Sequence, residues 1–215
     1  ASGNGICYDA SDLADVVLTD HLGNSDLRDA FRGELTIDLR KHTPGMHVSA
    51  TGEIVMARPV AKVSFVTEDV KRFYDDFVKS MSVNGTDTRT PIDYSGAQYI
   101  QAAFGHLKAV FQYDGFMPVE YNCFTDNPID SRTGASFESR LGDNILIQDR
   151  TEIGFDYVFV NGEESSVNMS VYVIDTNTGE ILTSRRGLKV PLRRGCVTEV
   201  VGKFLTEGSD TGIGI

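Results

Sequence analysis

The sequence predicts a mainly β protein, a β-sandwich or barrel with one amphipathic helix laid against it. Three observations lead there. Apolar and polar residues alternate at period two along most of the chain, as in strands that bury one face. Gly, Asn and Asp interrupt that alternation at intervals of about 8–12 residues, the spacing of sandwich strands and their turns. One segment repeats at steps of three and four, which draws a single helical stripe.

In chain order, Glu34–Arg40 sets Leu35, Ile37 and Leu39 on one face and predicts a half-buried strand. Residues 53–65 are long for one strand. Pro59 lacks an N–H for a ladder and marks an edge or a break between two strands. A domain junction is placed there, with 1–57 as a partial N-terminal β domain and 58–215 as a C-terminal sandwich. Between Thr67 and Met81, the stripe Val70, Phe73, Tyr74, Phe77, Val78 and Met81 predicts the helix. Thr67 fits its N-cap, and Glu68 and Asp69 suit the positive end of its dipole. A shorter helix fits Ala97–Phe104, bracketed by Gly96 and Gly105. Residues 153–161 and 166–174 alternate on either side of Asn161-Gly162 and predict a hairpin. Asp175–Gly179 turns the chain into residues 180–182, and strands at 188–192 and 197–205 follow around Arg193-Arg194-Gly195.

Composition narrows the function. Among 215 residues, 31 acidic and 20 basic side chains leave a net charge of −11, against a nucleic-acid binder, which needs Lys and Arg to neutralise phosphate. No uncharged apolar run approaches the ~18 residues of a membrane span. Cys7, Cys123 and Cys196 lie far apart with no C-x-x-C pair; one disulfide with a free thiol, or three reduced thiols, both fit. His21, His42, His47 and His106 are scattered and read as solvated loop histidines. There is no dinucleotide fingerprint, P-loop, H-E-x-x-H or G-x-S-x-G. No catalytic residue, cofactor or metal ligand is therefore assigned, and the chain is not expected to be an enzyme. The closing Gly212–Ile215 is glycine-rich but precedes no helix. Asp75-Asp76 and Glu163-Glu164 read as solvated charges. Asp126–Ser131 lacks the EF-hand spacing and reads as a hydrogen-bonded turn. Asn84-Gly85-Thr86 and Asn168-Met169-Ser170 fit the glycosylation triplet, a pattern that chance also produces.

One charge feature stands out. Arg185, Arg186, Lys189, Arg193 and Arg194 place a quarter of the basic residues within ten positions. This is either a docking patch for an acidic partner or neighbouring subunit, or cross-strand pairing that also guards an edge strand.

The segments Gly23–Phe31, Met56–Val63, Tyr113–Pro118, Gly154–Gly162 and Val190–Gly195, the last running into Val201–Thr206, together carry a family resemblance. Across about residues 12–215 the chain resembles the fimbrillin-like surface proteins of gut and oral Bacteroidota, in the branch allied to minor and anchor subunits of type V pili. The resemblance implies transthyretin-like antiparallel β-sandwiches in tandem, secretion as a lipoprotein and attachment to the outer membrane. It also implies assembly by β-strand addition, with other pilus subunits or surface proteins as partners. The 57 residues before Arg58 are too few for a whole first sandwich, so an N-terminal truncation is expected. The function expected is that of a non-enzymatic structural or adhesion protein of the cell surface, a fimbrial subunit. The alternative is a sandwich that captures glycan or host protein through loops such as Thr125–Arg132; the absence of Trp counts against a glycan platform.

Overall fold

The chain runs β1 (Tyr8–Asp9), β2 (Val16–Leu18), a 3-10 turn (Asp26–Arg28), β3 (Val60–Thr67), α1 (Val70–Asn84), α2 (Ala97–Phe104), β4 (Leu107–Tyr113), β5 (Met117–Asn122) and β6 (Asn127–Arg132). It continues through β7 (Ser136–Arg140), α3 (Leu141–Asn144), β8 (Thr151–Phe159), β9 (Glu164–Asp175), β10 (Ile181–Arg193) and β11 (Val197–Gly202). These elements come from a computed structural model that describes residues 7–19, 21–38, 40, 45, 47, 49, 51–84 and 95–207. Leu39, His42, Gly85-Thr86 of the first triplet and Gly212–Ile215 lie outside the described residues.

The strands form three sheets, ordered β1-β2-β5-β6, β10-β9-β4-β7 and β11-β3-β8, and the protein is mainly β, as a β-sandwich requires. A shared core draws on all three and on the helices. Leu18, Phe65, Phe104, Phe111, Met117, Met169 and Leu192 are buried together, with Phe111 between Phe65 and Phe137 at 4.6 Å from each ring. A smaller cluster joins Val16, Val60, Tyr121, Tyr157 and Phe159.

Both helices sit where the sequence places them. α1 buries Val70 and Tyr74 and half-buries Phe73, Phe77 and Val78. Its entry differs in detail, because Thr67 closes β3 and the residue before the helix is Asp69. The Asp69 carboxylate takes the Thr67 hydroxyl, the Leu205 N–H at 3.1 Å and the Thr206 N–H at 2.7 Å, tying the helix start to the turn after β11. α2 runs between Gly96 and Gly105.

Four expectations need correction. Residues 34–38 are irregular, not a strand, with Leu35 and Ile37 exposed; alternation supplied a face, but no strand among the described residues supplies a ladder. β8 and β9 do not pair as a hairpin. The turn at Gly162 (φ 69°) passes the chain from the third sheet to the second, because β8 is buried on both faces and packs against both clusters. β11 pairs with β3 in parallel rather than antiparallel, a direction that no periodicity encodes. Most of Thr125–Arg132 is the edge strand β6, not a loop.

Candidate functional site

After β2 the chain crosses the open edge of β8, and two side chains hold it there. Asn24 accepts the Phe155 N–H at 2.9 Å and donates from Nδ2 to the Glu138 carbonyl at 3.0 Å, while its own N–H donates to the Phe155 carbonyl at 2.8 Å. This occupies part of an edge that would otherwise be unpaired. Next to it, Asp156 is 1% exposed on β8 and gathers donors on both oxygens. Oδ1 takes the Arg28 guanidinium and the Tyr157 N–H (2.8 Å); Oδ2 takes the Tyr113 hydroxyl (2.7 Å) and His21 Nε2 (2.8 Å).

Burial alone would raise the Asp156 carboxyl, but the His21 hydrogen bond and the Arg28 charge outweigh it and hold it below the usual carboxylate range. Burial, reinforced by the Asp156 charge, drives the Tyr113 phenol well above its ordinary value. Tyr8, whose hydroxyl donates to the Arg28 carbonyl, is pushed up to about 12 by burial. The carboxylate's lone pairs are fully engaged, so Asp156 is an anchor rather than a base aimed at a substrate.

The anchored segment leads into an exposed arm. Arg58 lies over the Phe31 ring at 4.6 Å and grips Asp29 with two hydrogen bonds of 2.8 and 3.0 Å. Arg32 and Ala57 exchange both backbone hydrogen bonds, and the Arg32 guanidinium donates to the Cys123 carbonyl at 2.7 Å. Beyond this bridge the described residues 33–38 and 51–56 lie in no ladder. Leu35, Ile37, Ile54 and Met56 are exposed, and Val55 is 85% exposed. Of the seventeen large apolar side chains exposed among the described residues, eight fall between Leu22 and Met56. That is local concentration, not the ordinary scatter of surface hydrophobics.

The five basic residues singled out in the sequence do not stay together. Arg185 points inward from β10 and donates to the Lys203 carbonyl at 3.1 Å, with Glu207 at 3.6 Å. Arg194 is half-buried and pairs with Asp126 at 2.8 Å, which fixes the turn before β6. Arg186, Lys189 and Arg193 are exposed on the outer face of β10, Arg193 lying 3.8 Å from Glu164. A cavity of about 280 Å³ opens beside β5 and β6, lined by Phe116, Pro118, Pro128 and Ile129 together with Asp130, Ser131 and Asn161.

Sequence inspection missed the Asp156 anchor, and it took His21 for a solvated loop residue, whereas that ring is buried. The available signal was the single acid in the apolar run Ile153–Val160. Among the described residues no three His, Cys, Asp or Glu side chains converge to hold a metal ion, the three cysteines are free thiols, and no helix is long and apolar enough to cross a membrane.

A family model described as "Family of unknown function (DUF6562)" matches residues 1–215. No curated protein matches the sequence. Among solved structures, the chain is similar to a crystal structure from Bacteroides ovatus whose protein is provisionally called an adhesin, at 14% identity and a TM-score of 0.42. That match covers 95% of this chain and 64% of the other, so the chain spans under two thirds of its length.

Proposed function

The chain belongs to that family of unknown function, and we propose that it is a non-enzymatic subunit of a cell-surface assembly that joins its neighbours by strand pairing along the exposed arm. The arm is the observation behind this proposal. Its described residues 33–38 and 51–56 lie outside any ladder and, with Phe31, carry the exposed apolar side chains Leu35, Ile37, Ile54, Val55 and Met56; an added strand would supply both a ladder and cover for them. The Asp156 anchor and the Arg58–Asp29 pair fix the arm's root, so the ordering of the root does not have to be gained on docking. The likeness of the sequence to fimbrillin-like proteins supports the pilus setting and the lipid anchor, which are part of this proposal.

The test is hydrogen exchange and sedimentation of the purified chain across a concentration series, beside Val55→Glu and Leu35→Glu. The expected result is concentration-dependent association that protects amides 33–38 and 51–56, lost in both variants at unchanged thermal stability. A chain that stays monomeric at high concentration, its arm amides exchanging freely, would sink the proposal.

A further inference from the structure

Two sheets carry opposite charges on their outer faces. On the second sheet, a bulge at Arg186-Gly187, with Gly187 at φ 68°, sets the Arg186 guanidinium over Tyr172, 5.5 Å from the ring centre. Lys189 and Arg193 are exposed farther along β10, while Lys108 on β4 and Arg140 on β7 are direct cross-strand partners. Against these five cations the outward strand positions offer two carboxylates, Glu138 at 2.8 Å from Lys108 and Glu164 at 3.8 Å from Arg193, with Asp114 at the rim bonded to Ser170. In a chain of net charge −11 this face is locally positive.

The first sheet is its inverse. Glu120 on β5 stands directly opposite Asp130 on β6. Burial first, then the charges of Asp15 and Asp130, raise the Glu120 carboxyl. Among the described residues no cation pairs with Asp15, Glu120 or Asp130. Like charges placed opposite each other across strands destabilise a sheet, and the fold keeps one such pair of each sign. Asp130 of the acidic pair also lines the cavity, together with Phe116, Pro118 and Ile129. A lining that combines apolar side chains with a carboxylate suits a Lys or Arg side chain, whose stem is apolar and whose head is cationic.

We propose that the outer face of β9 and β10 in one copy docks on the outer face of β5 and β6 in a second copy, with Arg186 and Lys189 delivered to the Glu120–Asp130 side. The two surfaces are different, so the contact is head-to-tail and propagates along a row of copies. The chain itself supplies the complementary charge. This contact is separate from the arm and does not need it.

The experiment is sedimentation of the full chain at low ionic strength and at about 1 M salt, where screening shortens to about 3 Å. It compares the parent, a basic-face variant (Arg186→Glu with Lys189→Glu) and an acidic-face variant (Glu120→Lys with Asp130→Lys). The parent is expected to associate at low salt and dissociate at high salt, and each variant alone to associate at least tenfold more weakly. An equimolar mixture of the two variants should restore assembly, because each reversed face then meets its new complement. If a reversed variant fails to fold, the neutral pair Glu120→Gln with Asp130→Asn takes its place and should weaken low-salt association without loss of thermal stability. A parent that is monomeric at low salt, variants that assemble like the parent, or a mixture that does not recover would each overturn the contact. So would a monomer that binds a neutral oligosaccharide at the cavity. Assembly that survives charge reversal but is lost in Val55→Glu refutes this contact and leaves strand pairing by the arm; the converse does the opposite.

Discussion

Asp156→Asn tests the anchor most directly, because it removes one charge from a desolvated pair at almost constant volume. The Arg28 and Asp156 side chains are 2% and 0% exposed. Once the carboxylate is gone, the guanidinium stays buried without a counter-ion, a change that costs about 3–5 kcal/mol. The amide compensates only in part. Arg28 and the Tyr157 N–H can only donate toward this position, and the Tyr113 hydroxyl or His21 Nε2 must switch from donor to acceptor to meet a new N–H. In a chain of this length each kcal/mol moves Tm by roughly 2–4 °C, so the midpoint should fall by about 6–20 °C. The assay is thermal and urea unfolding followed by circular dichroism, run also on Arg28→Met and on the double variant. The double variant should be less destabilised than the sum of the singles by about 2 kcal/mol or more, since it leaves no orphaned charge. An Asp156→Asn variant within about 1 kcal/mol of the parent, or strict additivity, would refute the anchor. The pH dependence has a definite sign. The native carboxyl titrates below its unfolded value of about 3.9, so its contribution is whole above that value and is lost as the pH falls through the native one. Asp156→Asn should lack that acid phase.

Three further outcomes are expected. Tyr8, pushed up to about 12, and Tyr113, driven well above its ordinary value by burial, keep protons that the unfolded chain releases near pH 10; stability should be whole below about pH 10 and fall above it by about 1.4 kcal/mol per pH unit per tyrosine, with phenolate absorbance rising together with loss of the sheet signal. Gly154→Ala would place a Cβ 2.4 Å from the edge of the Phe111 ring and should cost about 1–3 kcal/mol in urea unfolding; an unchanged midpoint would mean that the ring has room to move. Phe111→Ala, between the Phe65 and Phe137 rings, should cost about 3–5 kcal/mol, read from the same titration.

Local signals were legible where the information is local. α2 ends at the two glycines that bracket it, and the α1 stripe buries Val70 and Tyr74, half-buries Phe73, Phe77 and Val78 and leaves Met81 exposed, because helix contacts repeat within a few positions. Strand positions in β8 and β9 were legible for the same reason, whereas β10 runs from Ile181 to Arg193 straight through residues 183–187, which the sequence pattern leaves between two strands. Pairing was not, because a strand's alternation records which face is buried and not which strand lies beside it. The pattern at 153–161 and 166–174 is the same for a hairpin as for two strands in different sheets, and the buried second face of β8 decided between them. The Glu34–Arg40 pattern forms no strand over its described residues: residues 51–56 lie alongside, yet the two segments share no ladder beyond the Arg32–Ala57 bridge. Asp156 escaped notice because its partners His21, Arg28 and Tyr113 lie 135, 128 and 43 positions away. A lone acid in an apolar strand does announce a buried partner, but only packing reveals which one.

The basic stretch from Arg185 to Arg194 shows why a cluster in sequence differs from a patch in space. Adjacent residues of a strand point to opposite faces, so Arg185 and Arg186 cannot serve one surface. Arg185 turns in to the Lys203 carbonyl and Arg186 turns out over Tyr172. Arg194, past the end of β10, is held by Asp126. The positive surface is completed by Lys108 and Arg140, far away in sequence and brought alongside by the order β10-β9-β4-β7. The two alternatives therefore divide residue by residue. Arg185 and Arg194 pair within the molecule, and their loss belongs to the stability experiments. Arg186 and Lys189 face solvent, and their reversal belongs to the association experiments. A variant that neutralised all five at once would confound the two, because an unfolded chain and a chain unable to associate both fail to assemble.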